Sequence, residues 1–263
     1  MKIRSPIPYM QRDSVNKSMI AYGMNFGHGG TGVFKTLVDG PNLTTQIDFF
    51  QKLIEQNVYT KQDLKSSLAL VNAASNDYAT FAAKNGTFKD LPAFTTSLVG
   101  QISVDLRRIQ SLGVSKIAIG LMAPLGCLPL LTVYSSYQKC IDEANTVSAN
   151  HNKMMLQKVQ DMNHQMGHPV FITLDLYNAF LSTITTMQKR HAENSTLMNP
   201  LEPCCVGSSA GYSCGSVDDK GVKKYKVCEK PELSFFWDIV HPSQNGWLGV
   251  YTALQSSLQQ LSI

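Results

Sequence analysis

The sequence predicts an α/β protein, a parallel β-sheet sandwiched between helices in three layers. Short apolar runs at 68–74, 116–122 and 170–174 alternate with stretches whose apolar residues recur at helical spacing. Strands that alternate with helices pair in parallel and are covered on both faces, which is why they read as unbroken hydrophobic runs. At 263 residues the chain buries a substantial core and fits one large domain, 1–263.

The elements follow in order. The proline-rich opening through Tyr9 reads as an extended surface segment. The run 20–26 reads as a strand ending in Gly27-His28-Gly29-Gly30-Thr31-Gly32, where backbone amides can approach a ligand closely; a flexible turn is the plainer alternative. No Gly-Lys-Ser/Thr follows, so this is not a phosphate loop. Thr44 or Thr45 can cap a helix carrying Ile47, Phe50 and Ile54. The strand at 68–74 ends at Ser75-Asn76-Asp77-Tyr78. Polar residues at the carboxyl end of a buried strand are where α/β sites form, although an Asn-Asp pair is also a common turn. After Pro92, a helix places Phe94, Leu98, Ile102, Leu106 and Ile109 on one face and stops at Gly113. Strand 116–122 runs into Pro124-Leu125-Gly126-Cys127-Leu128-Pro129. A long helix over 136–166 carries Ala144, Val147, His151, Met155, Val159 and Met162 as a buried stripe, with His151 a packed histidine and Met154-Met155 filling core. Strand 170–174 ends in Asp175, and a last helix lines up Trp247, Tyr251, Leu254, Leu258 and Leu261.

Composition narrows the function. The formal charge of +4 is small and the only basic cluster, around Lys220, Lys223 and Lys224, is weak, so nothing points to nucleic acid. No apolar run is long enough to span a bilayer, and 1–6 contains no apolar leader. The body of the chain nevertheless has a secretory character. It has six cysteines, four of them between Cys204 and Cys228, and sequons at Asn16, Asn42, Asn85 and Asn194. Fifteen disulfide pairings are open. Zinc is disfavoured, because no Cys-x-x-Cys is present. A secretory body without a leader implies an incomplete amino terminus.

Chemistry concentrates at Phe235-Phe236-Trp237-Asp238-Ile239-Val240-His241-Pro242. Histidine suits general base work at neutral pH, and a carboxylate three residues away can fix its tautomer and steady the imidazolium. Pro242 is read as pre-setting a helix start that holds His241 on a short loop. Gly207-Ser208-Ser209-Ala210-Gly211 spells a nucleophile elbow, but it lies between Cys205 and Cys214, with neither strand before nor helix after, and is rejected.

Four blocks together resemble the plant GDSL esterase/lipases, a branch of the SGNH hydrolases: 23–32, Asn76-Asp77, 120–129 with its Pro-Leu-Gly-Cys-Leu-Pro core, and Asp238-Ile239-Val240-His241. Their order and spacing cover essentially the whole chain. The resemblance implies a flavodoxin-like sandwich with strand order 2-1-3-4-5, four of whose five strands are found. It implies that Gly32 and Asn76 are the backbone and side-chain donors of an oxyanion hole, His241 the base and Asp238 its partner. No metal or organic cofactor is implied, and the substrate would be a small-molecule or lipid acyl ester met outside the cell. Oligomeric state is left open.

The chain also departs from the family. The Gly-Asp-Ser-Leu block with its serine nucleophile, and the central first strand before it, are absent, so the expected member is amino-terminally truncated. That loss leaves two strand edges unpaired mid-sheet or forces their neighbours to pair directly. Ala74 stands where the family has glycine, at a cost on the order of 1 kcal/mol if that position needs positive φ. His28 is bulkier than the usual residue there. The implied activity is carboxylic ester hydrolysis; the alternative is an inactive secreted protein that keeps the pocket to bind an acyl ester.

Overall fold

The computed structural model describes residues 5–194 and 197–261. The leader reading at 1–4 and the Ser195-Thr196 part of the fourth sequon lie outside them. In chain order the elements are β1 (Ile7–Pro8), α1 (Lys17–Ile20), β2 (Met24–Asn25), α2 (Leu43–Glu55), α3 (Lys61–Lys65), β3 (Leu68–Val71), α4 (Ser75–Ala83), α5 (Leu91–Ser111), β4 (Lys116–Gly120), α6 (Pro129–Thr132), α7 (Asp142–Met166), β5 (Phe171–Leu174), α8 (Leu176–Glu193), β6 (Cys205–Gly207), β7 (Tyr225–Val227), α9 (Gln244–Ala253) and α10 (Gln255–Gln259). The class is α/β with parallel sheets, as the alternation predicts. The described residues form two compact units, one of residues 5–120 with Lys153–Leu174 and 259–261, the other within Leu121–Asn152 and Asp175–Leu258.

The first unit is built on the parallel sheet β3-β4-β5, with Ala69 beside Ile117 and Ile117 beside Phe171. Ile117, Ala118 and Ile119 of β4 are buried, as a central strand covered on both faces must be. Helix α5 contributes Leu98, Ile102, Leu106 and Ile109, the predicted stripe, and ends at Gly113 with φ +110°. The second unit packs Phe180 and Ile184 of α8 against Phe235, Phe236 and Val250. His151 on α7 is buried, and burial pushes its imidazole down to about 4, so it is a neutral core histidine.

Several expectations are corrected. Residues 20–26 are mostly not strand: α1 occupies Lys17–Ile20, and only Met24 and Asn25 pair, in parallel with Ile7 and Pro8. Helix α2 is capped by Asn42, whose Oδ1 accepts from Thr45 N–H at 2.9 Å, rather than by a threonine. Helix α7 begins at Asp142, because Ser136 and Tyr137 sit at positive φ and Cys140 is tied to Cys127. Asp142 and Glu143 then supply the negative charge that a helix amino end favours. On α9 the buried residues are Gly246 and Val250, followed by Leu254, while Trp247 and Tyr251 are only about half covered. Helix α8 has no counterpart among the expected elements. Its run Thr183-Ile184-Thr185-Thr186 is poor in helix propensity, and the helix stands on the burial of Leu176, Ala179, Phe180 and Ile184.

β2 and β3 lie in separate sheets, so of the two outcomes expected for a missing central strand, direct pairing does not occur. Among the described residues β3 pairs only with β4, and its Leu70 is 68% exposed, unlike a strand covered on both faces. The cysteines pair as Cys127–Cys140, Cys204–Cys228 and Cys205–Cys214, which resolves the open pairings.

Candidate active site

The Asp238–His241 loop belongs to the second unit. Phe235 and Phe236 anchor it from the core, stacked edge-on with centroids 4.8 Å apart. The chain leaves that anchor and returns to it. Phe236 bridges Pro242, Ser243 N–H donates to Phe235 O (2.8 Å), and Trp237 N–H donates to His241 O (2.8 Å). Helix α9 starts at Gln244, capped by Ser243 Oγ, so Pro242 closes a hairpin-like loop and does not open the helix. The restraint expected of proline comes instead from Asp238. Its Oδ1 accepts the backbone N–H groups of Val240 (2.8 Å) and His241 (2.7 Å).

The other carboxylate oxygen, Oδ2, faces His241 Nδ1 at 2.8 Å. An ionised carboxylate only accepts, so the proton sits on Nδ1 and the Nε2 lone pair is left to take a proton. Burial pushes the Asp238 carboxyl up, but the bonds from the His241 N–H, the imidazole and the Val240 N–H outweigh it and hold the group below its ordinary value. The imidazole itself is 75% exposed.

Gly32 and Asn76 lie in the first unit. Ser75-Asn76-Asp77-Tyr78, read as a strand end or a turn, is instead the first turn of α4. Asp77 is 3% exposed and its carboxylate accepts Val33 N–H (3.0 Å) and Phe34 N–H (2.8 Å), tying the glycine-rich loop to the helix. Burial pushes this carboxyl up against those bonds. A Cβ at Gly32 would overlap the Asp77 carboxylate, which is the physical reason for glycine there. Asn76 Nδ2 donates to Thr31 O at 2.9 Å, so its amide lies against the peptide that carries the Gly32 N–H. One hydrogen of that amide remains unspent, and the Gly32 N–H donates to none of the described residues. Ala74, which leads into α4, is buried at φ +102°, ψ −35°, so the positive φ that would favour glycine is present. His28 is exposed, its ring against Gly40.

Sequence reasoning missed the part played by Asp77 and a polar stripe on α7. Asn145 Oδ1 accepts Gly126 N–H (2.9 Å), Ser148 Oγ accepts Leu125 N–H (3.1 Å), and Asn152 Oδ1 accepts Met122 N–H (2.8 Å). Together they hold the segment running into the Pro-Leu-Gly-Cys block. The polar spacing 145, 148, 152 on one helical face was its available signal. Gly207 ends a short strand after all, β6, but the motif then enters the long loop that connects β6 to its antiparallel partner β7 and not a helix, so its rejection as an elbow rests on that loop.

Comparison with known proteins gives the family of the chain. A protein-family model described as GDSL-like lipase/acylhydrolase matches residues 6–247. The chain is 48% identical over 257 residues to GDSL esterase/lipase At5g03610 of Arabidopsis thaliana, covering 97% of this chain and 71% of that relative. It is 47% identical to GDSL esterase/lipase At3g09930 of the same plant, covering 99% and 74%. GDSL esterase/lipase At2g36325, also from Arabidopsis thaliana, is 36% identical over 96% of this chain and 70% of its own length.

Proposed function

Because this chain belongs to the GDSL-like lipase/acylhydrolase family, we propose that it acts in carboxylic ester hydrolysis with His241 as general base and Asp238 as the carboxylate that orients it. The observation that carries this is the 2.8 Å pair of His241 Nδ1 and Asp238 Oδ2, with the second carboxylate oxygen pinned by two backbone N–H groups. In this mechanism Nε2 takes the proton of an attacking hydroxyl and returns it to the departing alkoxide. The imidazolium formed in between is steadied by the Asp238 charge. Water then repeats the cycle on the acyl intermediate and releases the carboxylic acid.

Gly32 N–H and the Asn76 amide are assigned to the oxyanion. Supporting this, both retain an unspent donor, and Asp77 braces the loop on which Gly32 sits. Donors fixed before charge develops lose no reorganisation energy, and removing one typically costs about 100- to 1,000-fold. The substrate is a small-molecule or lipid acyl ester. Three disulfides fit an oxidising compartment and hence secretion.

The attacking serine belongs, in this reading, to a Gly-Asp-Ser block, and these 263 residues spell no Gly-Asp-Ser. A second reading is a secreted protein that binds acyl esters without cleaving them. Intact mass and amino-terminal peptide mapping of the native protein, with p-nitrophenyl butyrate hydrolysis by the same material, separates the two. A native chain that carries the block, hydrolyses the ester and loses turnover in His241→Ala supports the hydrolase. Saturable ester binding without turnover by a native chain of this sequence alone would sink it and support the second reading.

A further inference from the structure

A concave site lies in the first unit. It is a cavity of about 280 Å³ walled by Phe34, Phe81 and Phe94, with Lys35 and Lys84 among its lining and Asp77 reaching it from α4. The aromatic wall is ordered. Phe81 and Phe94 stack with centroids 4.6 Å apart and planes 25° apart, and Phe34 approaches Phe94 at 6.4 Å. Gly86 is required beside it, because a Cβ there would press into the Phe81 ring. Gly32, Asn76 and His241 do not line this cavity.

Its charges are unbalanced. Lys35 and Lys84 are exposed, and neither enters an ion pair among the described residues. The Asp77 carboxylate is buried, and its two oxygens are turned to the Val33 and Phe34 N–H groups. An aromatic enclosure alone can hold a cation. Here the two ammonium groups outnumber the one carboxylate, whose acceptor capacity is already directed at backbone. The chemistry that matches is a flat apolar body with an anionic end. The volume falls just under the range of drug-sized pockets, about 300–1,000 Å³, so the body is one ring with a short chain.

We propose that this cavity binds a small aromatic carboxylate, its ring against Phe34, Phe81 and Phe94 and its carboxylate between Lys35 and Lys84. The site goes beyond the hydrolase reading and stands whether or not the chain turns over an ester.

The test is calorimetric titration of the full chain with 3-phenylpropionate, and with 3-phenylpropylamine as the cation of matching shape. The expected result is saturable one-site binding of the acid that weakens as salt is raised, with no binding of the amine. Lys35→Gln combined with Lys84→Gln should weaken the acid about tenfold or more. Both lysines are exposed, so that variant keeps the fold, checked by an unchanged melting temperature. Phe81→Ala should weaken the acid at both low and high salt. The proposal is overturned by absence of saturation, by the amine binding as tightly as the acid, or by unchanged affinity in the double lysine variant.

Discussion

Replacing Ala74 by glycine should make this protein more stable, against the usual direction of such a change. The residue sits at φ +102°, ψ −35°, a region that only glycine enters freely, immediately before the first turn of α4. A non-glycine residue held in such a region is strained by about 1–3 kcal/mol, and φ this far beyond the left-handed helical basin belongs in the upper part of that range. Two terms oppose the gain. Glycine adds about 0.4–1 kcal/mol of unfolded-chain entropy, and deleting a methyl that is 1% exposed forfeits about 0.8 kcal/mol of burial. The balance is a stabilisation of about 1 kcal/mol, a rise of about 2 to 4 °C in melting temperature. Thermal unfolding of wild type and Ala74→Gly by circular dichroism reads it directly. Ala74→Val is the control, since a β-branched side chain at this φ should lower the melting temperature well below wild type. A Gly variant that melts lower than wild type would show that the methyl contributes more by packing than it costs in strain, and the reasoning would fail.

Other consequences are open to measurement. Asp238→Asn should lower ester turnover on the order of 10,000-fold where turnover is present, because an amide no longer selects the Nδ1–H tautomer, while leaving KM nearly unchanged. Asp105 is buried with Oδ2 unpartnered, and burial pushes its carboxyl up despite the bonds from Thr44 and Gln101 and the nearby Arg108, with Asp48 adding to the rise. A carboxyl whose folded pKa exceeds its unfolded one favours the folded state below the unfolded value and loses that contribution as pH rises through the folded value. The melting temperature of Asp105→Asn relative to wild type should therefore improve as pH is raised from acid to neutral, and a difference independent of pH would count against this. Cys127→Ser with Cys140→Ser opens a loop of sequence separation 13 and should cost about 3 kcal/mol, read as a lower midpoint in urea. Leu70→Lys should change stability by less than about 0.5 kcal/mol, since the side chain is mostly exposed; a large loss would mean that this face is covered in solution.

The sequence by itself determined what depends on near neighbours. The apolar runs at 116–122 and 170–174 contain β4 and β5, and the stripe from Leu98 to Ile109 is the buried face of α5. Asp238 and His241 are three residues apart, so their pairing needs only a local loop, and four motif blocks in register were enough to point to the family. Only the tertiary structure decided what depends on distant groups meeting. Asp77 holds the N–H groups of Val33 and Phe34, more than 40 residues away, and explains Gly32 through a clash that no local pattern contains. Helix α8 runs against its own propensities because packing outweighs them. The cysteine pairing and the true buried face of α9 share that origin. Periodicity shows that a face is apolar, but which partner covers it, or whether any does, is fixed by contacts across the chain.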